Sequence, residues 1–428
     1  VGHVIQIEQI NKMKPSHIAF FISTLACLTG IELLANDWPQ ILGPKRDGVA
    51  AGEKLFKEWP KAGPREIWSK PCGQGYAGVA VKDNKVILFH RVGTNDIVEC
   101  LDANSGKQLW KTETKSVYRG GFSSDLGPRC VPTISGETVY VFSAAGTLRC
   151  LKLANGKPLW KRDLFSDYKA NEGYFGAGSS PLVLGAQIIV TVGGRNGGVI
   201  ALRPESGETI WKTDSITASY SAPTQISYNG KPAVAALNKL TFQIIASKSG
   251  KLLYETEFGK RGPTVNAALP LVFDDKLFLS SSYNVGARLI NLADGNKTIW
   301  ENDSSMSSQY TTCVYHEGFL YGTNGREDFG NGALRCVNAL TGKVAWEEEQ
   351  FGLAHLIKAE DQMLIWNIDG TVTLADLNSK SFLKKESAIV FSGNAKSLPA
   401  LSNGRLFVKS NAESGSGKIV CLQVGESK

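Results

Sequence analysis

The chain has 428 residues, with 45 Gly and 9 Trp but only 5 His, and 47 basic against 40 acidic residues give a net charge of +7. With 42% hydrophobic and 20% charged residues, the composition is globular and excludes a disordered or fibrous chain. The basic residues are spread without a basic run, which argues against a nucleic-acid binder, and so few His argue against a metal enzyme.

The amino terminus reads as an address. Lys12 and Lys14 precede an apolar stretch from Ile18 to Leu28, with a weaker apolar tail to Ala35. A short basic segment before an apolar core is the layout of a secretory signal, and this core is shorter than the ~20 apolar residues of a membrane-spanning helix. Residues 1–35 are therefore expected to be a secretory signal region, with Met13 as the true start and cleavage ahead of Asn36. Cys27 after Ala26 offers lipidation as a rival, although Thr24 stands where a lipid-attachment box usually has Leu. Residues 36–64 form an amino-terminal arm, expected to lie on the outside of the domain spanning 65–428.

From there one phrase recurs. Cys100-Leu101-Asp102-Ala103-Asn104-Ser105-Gly106-Lys107-Gln108-Leu109-Trp110 returns from Cys150 to Trp160, Ala201 to Trp211, Ile244 to Tyr254, Leu289 to Trp300 and Cys336 to Trp346. A degenerate copy runs from Leu374 to Phe382, and the start of another, with Cys421, ends the chain. The chemistry is that of a β-hairpin. Alternating apolar residues form a strand, a polar residue plus Gly makes the turn through a positive φ, and a Trp follows on the return strand where it can be buried. Upstream of most copies a Pro (Pro132, Pro181, Pro223, Pro270, Pro399) precedes another strand pair, and Pro belongs at strand starts and edges.

Each period thus holds four antiparallel strands, and a period of roughly 40–50 residues with four strands marks a propeller blade. Apolar residues alternate at period two, which excludes helical solenoids. The expected fold is all-β, an eight-bladed β-propeller of four-stranded antiparallel blades. The last copy stops before its Trp strand, whereas Arg65-Glu66-Ile67-Trp68 is a Trp strand without preceding strands. The amino-terminal strand is therefore expected to complete the last blade and close the ring, removing two free edges. Seven blades with a stray strand would leave Trp68 without a role.

The A-x-D-x-x-T-G-K-x-x-W pattern, clearest at Asp102 to Trp110 and Asn338 to Trp346, resembles the tryptophan-docking motif of pyrroloquinoline quinone repeat propellers. The resemblance implies that Trp68, Trp110, Trp160, Trp211, Trp300 and Trp346 lock neighbouring blades. That family includes quinoprotein dehydrogenases, with a quinone and calcium in the funnel, and the BamB-like group of non-catalytic envelope scaffolds. The leader Asp37-Trp38-Pro39 to Gly48 is similar to a segment preceding BamB-like propellers.

A dehydrogenase of this kind would need adjacent cysteines over the quinone, and none are adjacent here. Cys100, Cys150, Cys336 and Cys421 share a slot also filled by Ala201, Ile244, Leu289 and Leu374, so they read as free core thiols, although an exported chain could oxidise a pair that includes Cys72. His90, His316 and His355 lack metal-ligand spacing, and the glycines from Gly193 to Gly198 join two strands without a following helix. No catalytic, cofactor-binding or metal-binding residue is assigned, and no cofactor is expected; pyrroloquinoline quinone with calcium is the alternative. The polar-aromatic loops between blades are candidate partner-binding segments, carrying Arg119, Arg129, Tyr174, Arg195, Arg261, Tyr310 and Arg326. The arginines among them predict a basic lining suited to an acidic peptide or glycan; solvated loops without a partner are the other reading. The sequence therefore points to a monomeric, exported, non-catalytic scaffold for envelope protein partners, in the periplasm or at the outer membrane, contacting the membrane only through a partner or a lipid anchor. A divergent quinoprotein dehydrogenase and a glycan-binding or small-ligand-binding propeller are the alternatives.

Overall fold

A computed structural model describes residues 37–411 and 417–427, so the expected secretory signal and Cys27 lie outside the described residues. The described chain forms eight four-stranded antiparallel sheets, arranged in a ring as an eight-bladed β-propeller. Strand β1 (Arg65–Cys72) comes first, followed by the blade of β2 (Ala80–Lys82), β3 (Lys85–Val92), β4 (Asn95–Asp102) and β5 (Gln108–Lys115). Six further blades span 133–163, 182–212, 224–257, 271–302, 314–348 and 354–389. The eighth is built from Ala400–Ser402, Arg405–Lys409 and Gly417–Gln423, with β1 as its outermost strand. First strands of several adjacent blades touch one another, which places them toward the axis. The two middle strands of each blade are almost wholly buried, as in β3 and β4, whereas last strands such as β5 alternate between exposed and covered residues.

The recurring phrase does what its chemistry requires. Within a blade, Cys100 pairs with Trp110, Cys150 with Trp160, Ala201 with Trp211, Ile244 with Tyr254, Leu289 with Trp300 and Cys336 with Trp346. In the closing blade Cys421 pairs with Trp68, so the chain's two ends share one sheet. Each indole then reaches across to the next blade. Trp68 Nε1 donates to the Ala103 carbonyl at 2.9 Å, Trp110 to Leu153 at 2.9 Å, and Trp160 to Pro204 at 2.7 Å. Trp211 donates to Ser247 at 2.8 Å, Trp300 to Ala339 at 2.8 Å and Trp346 to Asn378 at 2.7 Å. The turn glycine is the other half of this contact: Gly106 has φ +68°, and a Cβ there would lie 2.7 Å from the Trp68 ring. All seven described cysteines are buried and unpaired, and burial pushes Cys100 and Cys421 to about 12 and Cys150 and Cys336 to about 11.

The arm does not lie on the outside of the ring, as its sequence led us to expect. Trp38 exchanges backbone hydrogen bonds with Val81 of the first blade, and the Pro39 carbonyl accepts from Ile134 of the second. The chain then crosses the axis, where Ile41 and Leu42 pack against Val131, Ala222 and Leu269. Arg46, fully buried, donates to the carbonyls of Ser180, Pro181 and Pro223, at the entries to the third and fourth blades. Ala50 donates to Lys358 of the seventh blade, and the Glu53 carboxylate accepts from the backbone of Asn403 and Gly404 of the eighth. The physical reason is that the first strands converge on an axial opening that backbone and side chains must fill. The arm also serves a defective junction. The seventh blade carries Glu386 opposite Leu374, where other blades have an aromatic ring. There Gly63 of the arm backs onto Ala388, and Trp59 is buried in the cluster that contains Leu374 and Leu406.

Candidate funnel site

With the arm as its floor, the axial opening becomes a cup of 430 Å³. Seven of the eight connections between blades line it, and the eighth blade-to-blade step contributes through His355 on the strand that follows. Ile41, Leu269 and Leu398 form an apolar floor. Aromatic rings form the wall: Tyr76, Phe122, Phe175, Tyr220 and Tyr310 from five connections, and Tyr283 from a hairpin. The connections are held in shape by their own hydrogen bonds. The Tyr220 hydroxyl accepts from the backbone N–H groups of Tyr174 at 3.1 Å and Phe175 at 3.0 Å. Asn266 donates its amide to the Asn238 carbonyl at 2.7 Å and accepts from Ser281 at 2.6 Å.

The charges around the cup are internally matched. The Arg129 guanidinium lies 3.3 Å from Asp125 and sits over the Tyr76 and Tyr118 rings at 5.3 and 5.4 Å. Asp125 also accepts from the backbone of Gly75 and Gly127, both at 2.9 Å. Lys396 pairs with Glu327 at 2.6 Å, and Glu327 accepts from the Tyr310 hydroxyl at 3.0 Å. Burial first, then the Glu327 charge, push the Tyr310 phenol far above its ordinary range, so it stays a hydrogen-bond donor. Burial likewise pulls the His355 imidazole down to about 4, which keeps it neutral near pH 7.

Of the candidate residues, Arg129 and Tyr310 reach this cup, while Tyr174 and Arg195 line a separate cleft. Arg119 and Arg261 are exposed on connections and line neither. Arg326 pairs with Asp328 and packs over Tyr283 and Phe329 at 4.2 and 4.3 Å. The five arginines therefore do not form one basic lining, because Arg129 and Arg326 are neutralised by carboxylates two or four residues away. Sequence reasoning missed Ile41, Tyr76, Phe122, Tyr220, Tyr283, His355 and Lys396. The aromatic in each connection was the available signal, but the connections differ in length and give it no fixed spacing.

The residues do not fit a calcium-bound quinone. The carboxylates of Asp125 and Glu327 are already engaged by arginine, lysine, tyrosine and backbone donors. Among the described residues no three His, Cys, Asp or Glu side chains come together to hold a metal ion, and the cysteines are packed within the blades.

Comparison with known proteins agrees with this architecture. The family described as Outer membrane protein assembly factor BamB matches residues 94–348. The chain belongs to that family. The outer membrane protein assembly factor BamB of Yersinia pestis is 24% identical over 410 residues, covering 82% of this chain and 96% of the relative. The crystal structure of BamB from Moraxella catarrhalis superposes with a TM-score of 0.62 at 17% identity, over 84% of this chain and 98% of that one. A europium-containing methanol dehydrogenase superposes with a TM-score of 0.70 at 12% identity, over 94% of this chain and 100% of that one. At these identities the structural likeness speaks for the ring alone, and BamB membership does not by itself say what fills the cup.

Proposed function

We propose that this chain is an exported, non-catalytic scaffold that presents the funnel face of a rigid ring to a protein partner of the cell envelope and contributes to outer-membrane protein assembly. The observation that carries the proposal is the pair of phenylalanines at the mouth. Phe122 is 75% exposed and Phe329 is 68% exposed, each beside tyrosine and matched charges. Large exposed rings amid tyrosines, arginines and satisfied polar groups are the composition of a protein-binding hot spot. The rigid connections supply the preorganisation that makes such a surface bind without a large ordering cost. Closure of the ring by β1 leaves no incomplete blade, which supports a monomer. The layout of residues 12–35, with its basic segment and apolar core, supports export.

A divergent quinoprotein reading is disfavoured by the engaged carboxylates and the packed thiols. The test of the scaffold reading is site-specific photo-cross-linking in the native host with the label at Phe122 or Phe329, against a control at Leu340, which is exposed at the hairpin end of the sixth blade. A discrete envelope protein should cross-link at the mouth and not at the control. With the label moved to the neighbouring exposed Ser124 at the mouth, Phe122→Asp with Phe329→Asp should abolish that product and lower the level of assembled outer-membrane proteins. Unchanged assembly and unchanged cross-linking in the double variant would sink the proposal.

A further inference from the structure

A second cleft, of 540 Å³, lies beside the funnel between the third and fourth blades. Lys169, Arg195 and Lys239 line it together with Tyr174 and Tyr220 and the alternating hydroxyl residues Ser215, Thr217 and Ser219. No acidic side chain lines it. Glu172 and Asp214, both exposed, are chain neighbours of lining residues but do not line it. In the funnel every lining cation has a carboxylate partner. Here, among the described residues, Lys169, Arg195 and Lys239 take part in no ion pair, and Lys239 Nζ instead rests 5.0 Å from the Tyr174 ring centroid. Three unmatched cations around one concavity repel one another and make a positive potential that an anion relieves.

The cleft is also built rather than incidental. The Arg195 backbone donates to the Lys169 carbonyl at 3.3 Å, that of Gly194 to Ile216 at 3.1 Å, and that of Lys239 to Thr217 at 3.1 Å. The Ser215 hydroxyl donates to the Gly194 carbonyl at 2.7 Å. These bonds hold four segments in fixed register, three that carry one cation each and the Ser215–Thr217 connection that links them. Gly193 allows a close approach, because a Cβ at that position would lie 2.6 Å from the Ala218 nitrogen.

We infer that this cleft binds a phosphorylated saccharide. An oxyanion alone would satisfy the cations, but it would leave most of the cleft unfilled, since clefts of about 300–1,000 Å³ suit small organic ligands. Arg and Lys together suit a phosphoryl group. The tyrosine faces and neighbouring hydroxyls suit a sugar ring, whose C–H faces are apolar and whose edges are polar. The ligand can come from two sources, a free sugar phosphate or the phosphorylated headgroup of a glycolipid. The cleft adjoins the funnel mouth, since Tyr174 packs edge-on against Phe122 at 4.9 Å and Tyr220 lines both concavities. The inference does not depend on the scaffold reading, however, because it rests on Lys169, Arg195 and Lys239, none of which lines the cup.

The test is calorimetric titration of the full chain at low ionic strength with glucose 1-phosphate, glucose and inorganic phosphate, alongside sedimentation with phosphatidylcholine vesicles with and without a phosphorylated glycolipid. Glucose 1-phosphate or the glycolipid vesicles should bind saturably, at least tenfold more tightly than glucose, phosphate or plain vesicles. Binding by the soluble compound identifies a free sugar phosphate as sufficient, and binding by the vesicles alone identifies the headgroup. The triple variant Lys169→Ala, Arg195→Ala, Lys239→Ala should weaken binding at least tenfold with an unchanged melting temperature. Arg195→Glu provides the same reading from one exposed position if the triple variant folds poorly. Absence of binding in both arms, equal binding of glucose or phosphate, or full binding by the variants would overturn the inference.

Discussion

Trp68 lies directly opposite Cys421 in the closing blade and also donates its indole N–H to Ala103 of the first blade at 2.9 Å. One side chain thus joins the two ends of the chain and docks the joined blade onto its neighbour. A ring whose closing blade is built from both ends loses cooperativity when that junction fails, because each blade contacts only its neighbours. Trp68→Ala should therefore cost about 3–5 kcal/mol, the usual range for deleting a buried aromatic, and broaden the urea transition. Trp68→Phe should cost less, keeping the packing while losing the indole hydrogen bond of about 1 kcal/mol. Urea titration followed by far-ultraviolet circular dichroism reads both. Equal midpoints for the alanine variant and the parent chain would show that β1 does not hold the ring closed.

The turn glycines separate backbone strain from lost space. Gly106 and Gly136 both have positive φ, at +68° and +52°, but only Gly106 faces the ring of the preceding Trp, while a Cβ at Gly136 meets nothing within 4 Å. Gly136→Ala should cost about 1 kcal/mol from conformation alone. Gly106→Ala carries that cost and also pushes the Trp68 ring from its site, adding about 1–3 kcal/mol of overpacking. Thermal unfolding of the two variants checks the difference, and equal losses would mean that the indole yields freely.

What the sequence revealed follows from which features have fixed local spacing. The hairpin Gly and the aromatic residue four positions on recur at almost one offset, with one extra residue only between Gly295 and Trp300, because both answer to a single turn geometry, so the blades and their locking residues are legible. The partners of Arg129 and Arg326 were also within reach, since Asp125 and Asp328 are close in sequence. The path of the arm was not, because Ile41 and Arg46 find their places only through carbonyls and apolar groups supplied by distant blades. The same holds for the missing ring of the seventh blade. Glu386 shows the gap, but nothing local indicates that Trp59 is buried nearby.

Arg46 should be the most sensitive position in the arm. It holds a positive φ of 60° and donates to three main-chain carbonyls from a fully buried site, where burial pulls its guanidinium down to about 9. Such a cation is tolerated because it satisfies acceptors that would otherwise be buried unpaired. Arg46→Ala leaves the carbonyls of Ser180, Pro181 and Pro223 without this donor and should cost about 2–4 kcal/mol. Arg46→Lys should recover only part, since one ammonium cannot reproduce a planar fork. Limited proteolysis offers a second readout: cleavage within residues 37–59 should accelerate in Arg46→Ala before the blades become susceptible. Cleavage of arm and blades at the same rate would mean that the arm does not detach on its own.

Two buried histidines should contribute to the acid sensitivity of the fold. The His90 Nδ1 accepts from the Gly73 backbone at 2.7 Å, and burial, reinforced by the charges of Lys409, Lys70 and Lys111, pulls the ring down to about 3. Glu99 lies 3.8 Å from its other nitrogen without offsetting this. His355, facing the Lys396 carbonyl at 3.1 Å, falls to about 4 through burial. Both bind a proton less well when folded than when unfolded, where His titrates near 6.5. Above that pH neither makes stability depend on pH. As the pH falls from 6.5 toward 4, unfolding takes up protons and each histidine lowers stability by up to about 1.4 kcal/mol per pH unit. Burial raises Asp47 and Asp96, which act in the opposite direction, so the informative quantity is the difference between variant and parent at each pH. His90→Asn retains an acceptor for Gly73, and His355→Gln retains a polar group near the Lys396 carbonyl. The double variant should therefore lose less stability than the parent between pH 6.5 and 4 and the same amount between pH 7 and 8. Parallel profiles across the acid range would show that these two rings do not govern acid unfolding.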